Sequence, residues 1–217
     1  MQHVIYDPTY SATMENEVAR GAEAVVTDSE YIGRAAVCKT RPPKGYRFPE
    51  LDSRLRMSRT RNEAKLMHEA KNAGVRTPCI YDVDLSECRI TMERVEGRTV
   101  KEVLESNPEM ASGISVMIGA TVARLHSARI CHGDLTTSNM ILCDEGICLI
   151  DFSMGCGNAT EEDMGVDIRL LERAFTSAHP GMESEFSTLI ETYYDGIPDS
   201  KAIRKKVEDI RNRCRYT

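Results

Sequence analysis

The sequence predicts an α+β fold of two lobes, a small β-rich N-terminal lobe and a reduced helical C-terminal lobe. Three observations lead there. Up to residue 95, segments with strand character outnumber the single helical stretch. Beyond Gly97 the apolar residues recur almost wholly at helical spacing, and no internal repeat or low-complexity tract interrupts either part. The expected divisions are residues 1–95, residues 96–200 and a basic C-terminal helix or tail over 201–217.

The elements follow in order. Ala22–Asp28 (AEAVVTD) and Tyr31–Lys39 (YIGRAAVCK) flank a short polar turn and read as an antiparallel hairpin. RPPKGYRFPE, with three prolines and a glycine, reads as a loop. From Ser58 to Ala73 the spacing of Ala64, Met67 and Ala70 predicts a helix that Gly74 stops. Cys79–Val83 and Arg89–Val95 read as two more strands. Asn107-Pro108 has the form of a helix start, Asn as cap and Pro at the first helical position. Ile114, Met117, Ile118, Val122 and Leu125 then fall on one stripe. After the loop HGDLTTSN, two short apolar segments, Met140–Leu142 and Ile147–Ile150, are joined by CDEG. Helices are predicted over Glu161–Ala178, Glu183–Tyr193 and Lys201–Arg213.

The 217 residues are 41% hydrophobic and 29% charged, which excludes disordered and collagen-like classes. No apolar run approaches the ~18–20 residues a membrane-spanning helix needs, so no membrane partner is expected. The opening MQHVIYDPTY lacks the basic and apolar regions of a secretory signal. Eight cysteines without a CxxC pair or zinc spacing read as reduced thiols, and the expected location is the cytoplasm or the nucleus. The net charge of −6 conceals a segregation: residues 34–65 carry +7 and residues 201–217 carry +5, so the remainder carries −18. Such zones can attract a polyanion to one face or be ordinary solvated surface.

The most informative stretch is His132-Gly133-Asp134-Leu135-Thr136-Thr137-Ser138-Asn139, of the form H-x-D-x-x-x-x-N. Twelve residues later the apolar segment Ile147–Ile150 ends in Asp151-Phe152-Ser153. A carboxylate and an amide on one loop, with a second carboxylate at a neighbouring strand end, suit Mg²⁺ carrying nucleotide phosphates. Phosphoryl transfer then needs mainly positioning, charge neutralisation and one base near the nucleophile.

This loop resembles a kinase catalytic loop, and the resemblance extends to both lobes. Lys39 ends Ala35-Ala36-Val37-Cys38-Lys39, loosely similar to the V-A-I-K signature, and Glu63 lies 24 residues further on in the helical segment RTRNEAKL. The two are the expected ion pair that orients Lys39 onto phosphates. Ile90–Gly97 (ITMERVEG) resembles the hinge between kinase lobes, with backbone groups of Glu93 and Val95 facing adenine and Met92 behind it. The candidate catalytic residues are thus Asp134, Lys39 and Glu63. The candidate nucleotide-binding residues are Lys39, Glu63, Met92, Glu93, Val95, Asn139, Asp151, Gly21 and Glu23, and the candidate metal ligands are Asn139 and Asp151. The departures are equally definite. Only Gly21-Ala22-Glu23-Ala24 stands where a glycine-rich loop belongs, D-F-G is D-F-S, and Thr136 replaces the usual lysine. No A-P-E follows, and 66 residues after Asp151 leave room only for a short activation segment and no peptide groove.

Across nearly the whole chain the sequence resembles the small atypical kinase and ATPase of the KEOPS (EKC) complex, the bud-site-selection kinase lineage. The motifs that carry the resemblance are Gly21–Ala24, Lys39–Arg47 (KTRPPKGYR), Leu51–Leu55, Arg59–Ala64, the His132–Asn139 loop, and Glu162-Asp163 through Val166-Asp167 to Leu171–Phe175 (LERAF), then Ser177, His179 and Pro180. In the tail, Arg211, Arg213 and Arg215 keep the family's basic spacing. The resemblance implies a kinase fold used mainly as an ATPase with ATP and Mg²⁺. The implied partners are a threonylcarbamoyl-transferase subunit and other KEOPS subunits, in forming threonylcarbamoyladenosine on tRNA. It also implies serine/threonine phosphorylation, and a basic tail lying near tRNA phosphates. Two other readings stand beside it. A small-molecule phosphotransferase of the aminoglycoside or choline kinase type shares H-G-D-x-x-x-x-N, and a scaffold with little activity alone is the third.

Overall fold

The computed structural model describes residues 17–213. The opening decapeptide and Arg215 therefore lie outside the described residues. The N-terminal lobe is a five-stranded antiparallel sheet with one long helix. Its elements are β1 (Glu17–Arg20), β2 (Val25–Tyr31), β3 (Arg34–Thr40), α1 (Pro49–Asn72), β4 (Ile80–Asp84) and β5 (Arg89–Glu93), and the strand order is β1-β2-β3-β5-β4. The β2–β3 hairpin turns on Ile32 and Gly33, both at positive φ (51° and 73°), the two-residue turn whose twist matches paired strands. β5 then pairs with β3 so that Val37 faces Met92 and Lys39 faces Ile90, which sets the cleft-side residues of the two strands side by side.

Two expectations are corrected here. The helix does not begin at Ser58 but at Pro49, inside the segment read as a loop. Its first turns carry only the apolar pair Leu51 and Leu55, with Leu51 itself exposed, too little to mark a buried face. They are fixed instead by Pro at the start, by Glu50 and Asp52 at the positive helix end, and by an Arg56–Asp52 ion pair at 2.7 Å. Strand β1, which the sequence reading lacked, is four exposed residues paired to β2.

The remainder is helical around small hairpins: β6 (Arg98–Thr99), α2 (Val100–Ser106), α3 (Ala111–Ser127), β7 (Ile130–Cys131), β8 (Met140–Cys143), β9 (Gly146–Leu149), β10 (Cys156–Gly157), α4 (Glu161–Ala178), α5 (Glu183–Gly196) and α6 (Ser200–Arg213). Asn107 does not cap α3. Its side chain bonds Ser106 and Glu109, a 3₁₀ turn fills Pro108–Met110, and α3 starts at Ala111. Helix α2 was also unforeseen, although Thr99-x-x-Glu102 is a capping box: the Glu102 N–H donates to Thr99 Oγ1 (3.2 Å) and the Thr99 N–H to Glu102 (3.0 Å). Thr160 and Asp163 start α4 the same way. The stripe of α3 is buried as its spacing required, Ile114, Ile118, Val122 and Leu125 all lying against one contiguous core. That core continues from Leu66 and Met67 of α1 through Phe152 to Phe175 and Tyr193. Among the described residues no helix is long and apolar enough to cross a membrane.

Candidate active site

A cleft of about 770 Å³ opens between the β2–β3–β5 face and the loops around β8 and β9. That is the size of a small-ligand site. Lys39, itself buried, enters it from the end of β3, and its partner on α1 is Glu63. Lys39 Nζ lies 2.7 Å from Glu63 Oε1 and 2.7 Å from Asp151 Oδ1, so one ammonium joins the carboxylates of both lobes. Glu63 is fully buried and lies behind the cleft wall.

Asp151 follows β9 at a left-handed backbone angle (φ 64°), a strained conformation for a residue with a Cβ. Burial alone would raise its carboxyl; the Lys39 ammonium and the Ser153 hydrogen bonds outweigh that and hold it at about 2. Ser153 donates its N–H (3.3 Å) and its hydroxyl (2.5 Å) to Asp151 Oδ1. The serine in D-F-S thus steadies the carboxylate, and its own backbone is not among the positive-φ residues that would demand glycine.

Asp134 is exposed to the cleft. Asn139 Nδ2 donates to both its carbonyl and Oδ2, each at 2.9 Å, which turns the Asn139 Oδ1 away from Asp134. Among the described residues the hydrogen bonds to the Asp151 carboxylate all fall on Oδ1, and Asn139 Oδ1 and Asp151 Oδ2 take no partner there. Two hard oxygen donors, one of them anionic, fit a divalent cation that keeps the rest of its shell for water and phosphate.

The loop owes its shape to residues the sequence reading gave no role. Asp167, buried on α4, accepts the N–H of His132 (2.7 Å) and of Gly133 (2.9 Å). His126 and Tyr193 extend that network at 3.2 and 2.8 Å. The Asp134 N–H donates to His132 Nδ1 (3.3 Å), so Nε2 carries the proton and donates to the Ile150 carbonyl (2.9 Å). His132 therefore couples the position of Asp134 to the strand end that presents Asp151. Gly133 at φ 79° is required as well, since a Cβ there would lie 2.2 Å from the Met154 carbonyl oxygen. The only sequence signal for Asp167 was its place in the Val166-Asp167 motif.

Met92, Glu93 and Val95 line the cleft beside Val37. The Glu93 N–H donates to the Cys79 carbonyl (2.8 Å) and so is not offered to the cleft. Its side chain turns away to Arg76 (2.5 and 3.0 Å); burial would raise this carboxyl, but the Arg76 and Cys79 hydrogen bonds hold it below its ordinary value. Gly21 and Glu23 form the roof between β1 and β2, where the Gly21 N–H donates to the Ala24 carbonyl (2.9 Å). The Glu23 carboxylate pairs with Arg59 and with Arg47 (3.4 Å), which fastens that turn to α1 by charge. Of the first basic zone, Lys39, Arg41, Arg47, Arg56 and Arg59 are engaged in ion pairs within the fold, while Arg34, Arg54 and Arg61 are exposed. The second is α6, where Arg211 pairs with Glu172 (3.0 Å), and Arg213 (2.6 Å) and Lys206 (2.9 Å) pair with Glu162 of α4.

A family model described as "RIO domain" matches residues 45–187. The chain is 40% identical over 205 residues to a "Probable bifunctional tRNA threonylcarbamoyladenosine biosynthesis protein" of Methanobrevibacter smithii. That match takes in 94% of this chain but spans only 37% of the relative's length. It is 37% identical over 209 residues to the "KEOPS complex subunit Bud32" of Pyrococcus abyssi, covering 92% of this chain and 95% of that one. Among solved structures, a chain of "WaaP in complex with acyl carrier protein" superposes with a TM-score of 0.62 at 15% identity, covering 92% and 88% of the two chains, a likeness of fold alone. With a lysine–glutamate pair, an H-x-D-x-x-x-x-N loop and a following aspartate gathered on one cleft, the chain belongs to the RIO-domain family of atypical kinase-like proteins and, within it, to the family of the KEOPS complex subunit Bud32.

Proposed function

We propose that the protein binds ATP with Mg²⁺ in this cleft and splits off the terminal phosphoryl group, as the ATPase and atypical serine/threonine kinase subunit of a KEOPS complex. The observation that carries the proposal is the position of Lys39 Nζ, 2.7 Å from Glu63 and 2.7 Å from Asp151, with Asp134 and Asn139 on the same cleft. Lys39, held by Glu63, binds the α- and β-phosphates. Asn139 and Asp151 hold the magnesium ion, which neutralises charge that develops on the phosphoryl oxygens. Asp134, exposed and oriented by the Asn139 amide, holds the attacking water or hydroxyl and receives its proton. The carbonyl of Glu93 and the backbone of Val95 bond the adenine against Met92 and Val37.

The relatives' names support the biological setting: a KEOPS subunit of similar length, and longer chains named for threonylcarbamoyladenosine synthesis that this chain matches over about a third of their length. The partner in this reading is a threonylcarbamoyl-transferase subunit with other KEOPS subunits, and tRNA approaches the basic C-terminal helix, where Lys201, Arg204 and Lys205 are exposed. The test is ATP hydrolysis by the purified chain, alone and with the transferase subunit and tRNA, beside an Asp151→Ala variant. Turnover stimulated by the partner and abolished in the variant is expected; unchanged turnover in Asp151→Ala overturns the assignment.

A further inference from the structure

Arg41 lies two residues beyond Lys39 and lines the same cleft, yet it is only 1% exposed and is the largest fully buried side chain of the described residues. Its guanidinium pairs with Glu63 Oε2, the oxygen that Lys39 leaves free, and Nη1 reaches Thr60 Oγ1 at 3.4 Å. Its main chain is fastened as well: the N–H donates to the Cys88 carbonyl (3.1 Å), and its carbonyl accepts from Arg56 Nη1 (3.1 Å). Arg56, Thr60 and Glu63 fall on one face of α1 at i, i+4 and i+7, so a single residue after β3 rivets two turns of that helix to the sheet.

We propose that Arg41 is a positioning residue of the nucleotide site, one that holds Glu63 and leaves the Lys39 charge available to phosphate. The inference rests on the ATP-binding reading of the cleft. A lysine and a glutamate alone form a neutral pair, and much of the lysine's field is spent on its partner. Adding the Arg41 guanidinium gives a trio of net charge +1, which balances the Asp151 carboxylate and leaves one positive charge facing the cleft once Asp151 turns to a cation; in a buried setting such fields are strong. The same rivet keeps α1 against the sheet, so Glu63 does not leave Lys39 when Asp151 is drawn to a cation. A purely structural role is the poorer account. An apolar side chain would fill the space without desolvating a charge, and Arg41 Nε is buried with no partner among the described residues, a costly arrangement of the kind found where function requires it.

The experiment measures binding of Mg²⁺-ATP, Mg²⁺-ADP and adenosine to the whole chain as wild type, Arg41→Met and Arg41→Lys, with folding of each checked by thermal melt. Arg41→Met is expected to weaken both nucleotides at least tenfold and adenosine less than twofold, with Arg41→Lys within threefold of wild type for all three. Equal losses for ATP and adenosine, or ATP affinity within twofold of wild type in Arg41→Met, overturn the inference. Should Arg41→Met not fold, Arg41→Lys decides alone: a tenfold loss of ATP with adenosine unchanged would overturn the charge argument, and binding within threefold upholds it. A wild-type chain that binds adenosine and ATP equally weakly would instead overturn the ATP-binding reading itself.

Discussion

Lys39 of the sheet and Asp151 of the helical lobe stand 2.7 Å apart, nitrogen to oxygen, and this pair spans the cleft that divides the two parts of the molecule. The carboxyl is depressed from its ordinary value of 3.8 to about 2. A depressed acid contributes stability that is fully present above its unfolded value and is lost as pH falls through its folded one. Stability from this pair should therefore be complete above about pH 4 and vanish as the pH drops through about 2. In Lys39→Met the Asp151 carboxyl should titrate at a higher pH, read by carbon-13 NMR of the aspartate side chains. A titration unmoved by the substitution would contradict the role given to Lys39.

Glu63→Ala leaves Lys39 and Arg41 as two cations without their shared carboxylate in a buried place. Breaking a buried pair from one side typically costs about 3–5 kcal/mol. Urea unfolding should show a loss of that order, and Glu63→Gln, which keeps the shape and two polar atoms, should lose less.

Asp167→Ala removes the acceptor of two loop amides at once. Each buried N–H left unpaired costs about 1–3 kcal/mol, so the variant should lose on the order of 3 kcal/mol. Hydrogen exchange at His132 and Gly133 should accelerate, and ATP turnover should fall even though Asp167 lines no part of the cleft. Slow exchange at those two amides in the variant would show that another group holds the loop.

Gly133→Ala meets both a positive φ and the Met154 carbonyl oxygen. Strain of this kind costs about 1–3 kcal/mol. The segment around Met154 must shift, and with it the Asp134–Asp151 spacing. Turnover should drop more steeply than melting temperature, measured side by side.

Much of the candidate site was legible because its residues stand at rare spacings. The H-x-D-x-x-x-x-N loop, Asp151 and the Lys39–Glu63 separation are fixed by covalent distance along the chain, and the structure gathers them on one cleft with Glu63 just behind it. The supporting residues were not legible. Asp167 reaches His132 across 35 positions, and Arg41 looked like one more cation in a basic zone, because nothing in sequence separates a buried arginine from a solvated one. The fold behaved alike. The hairpins, and α3 to α6 apart from their first or last residues, followed from apolar period, whereas the first turns of α1 are held by charge and carry no such period. Helix α2 shows a different lapse, since its Thr99–Glu102 box was present in the sequence and only its shortness hid it.

The contact between α4 and α6 bears on how this protein would meet a nucleic acid. Arg211, Arg213 and Lys206 already face the Glu162 and Glu172 carboxylates, so a phosphate arriving there exchanges one anionic neighbour for another instead of displacing bound salt. Any affinity for RNA through this helix should then fall with ionic strength more gently than its six lysines and arginines would suggest, each free phosphate contact being worth a slope of roughly 0.7–0.9.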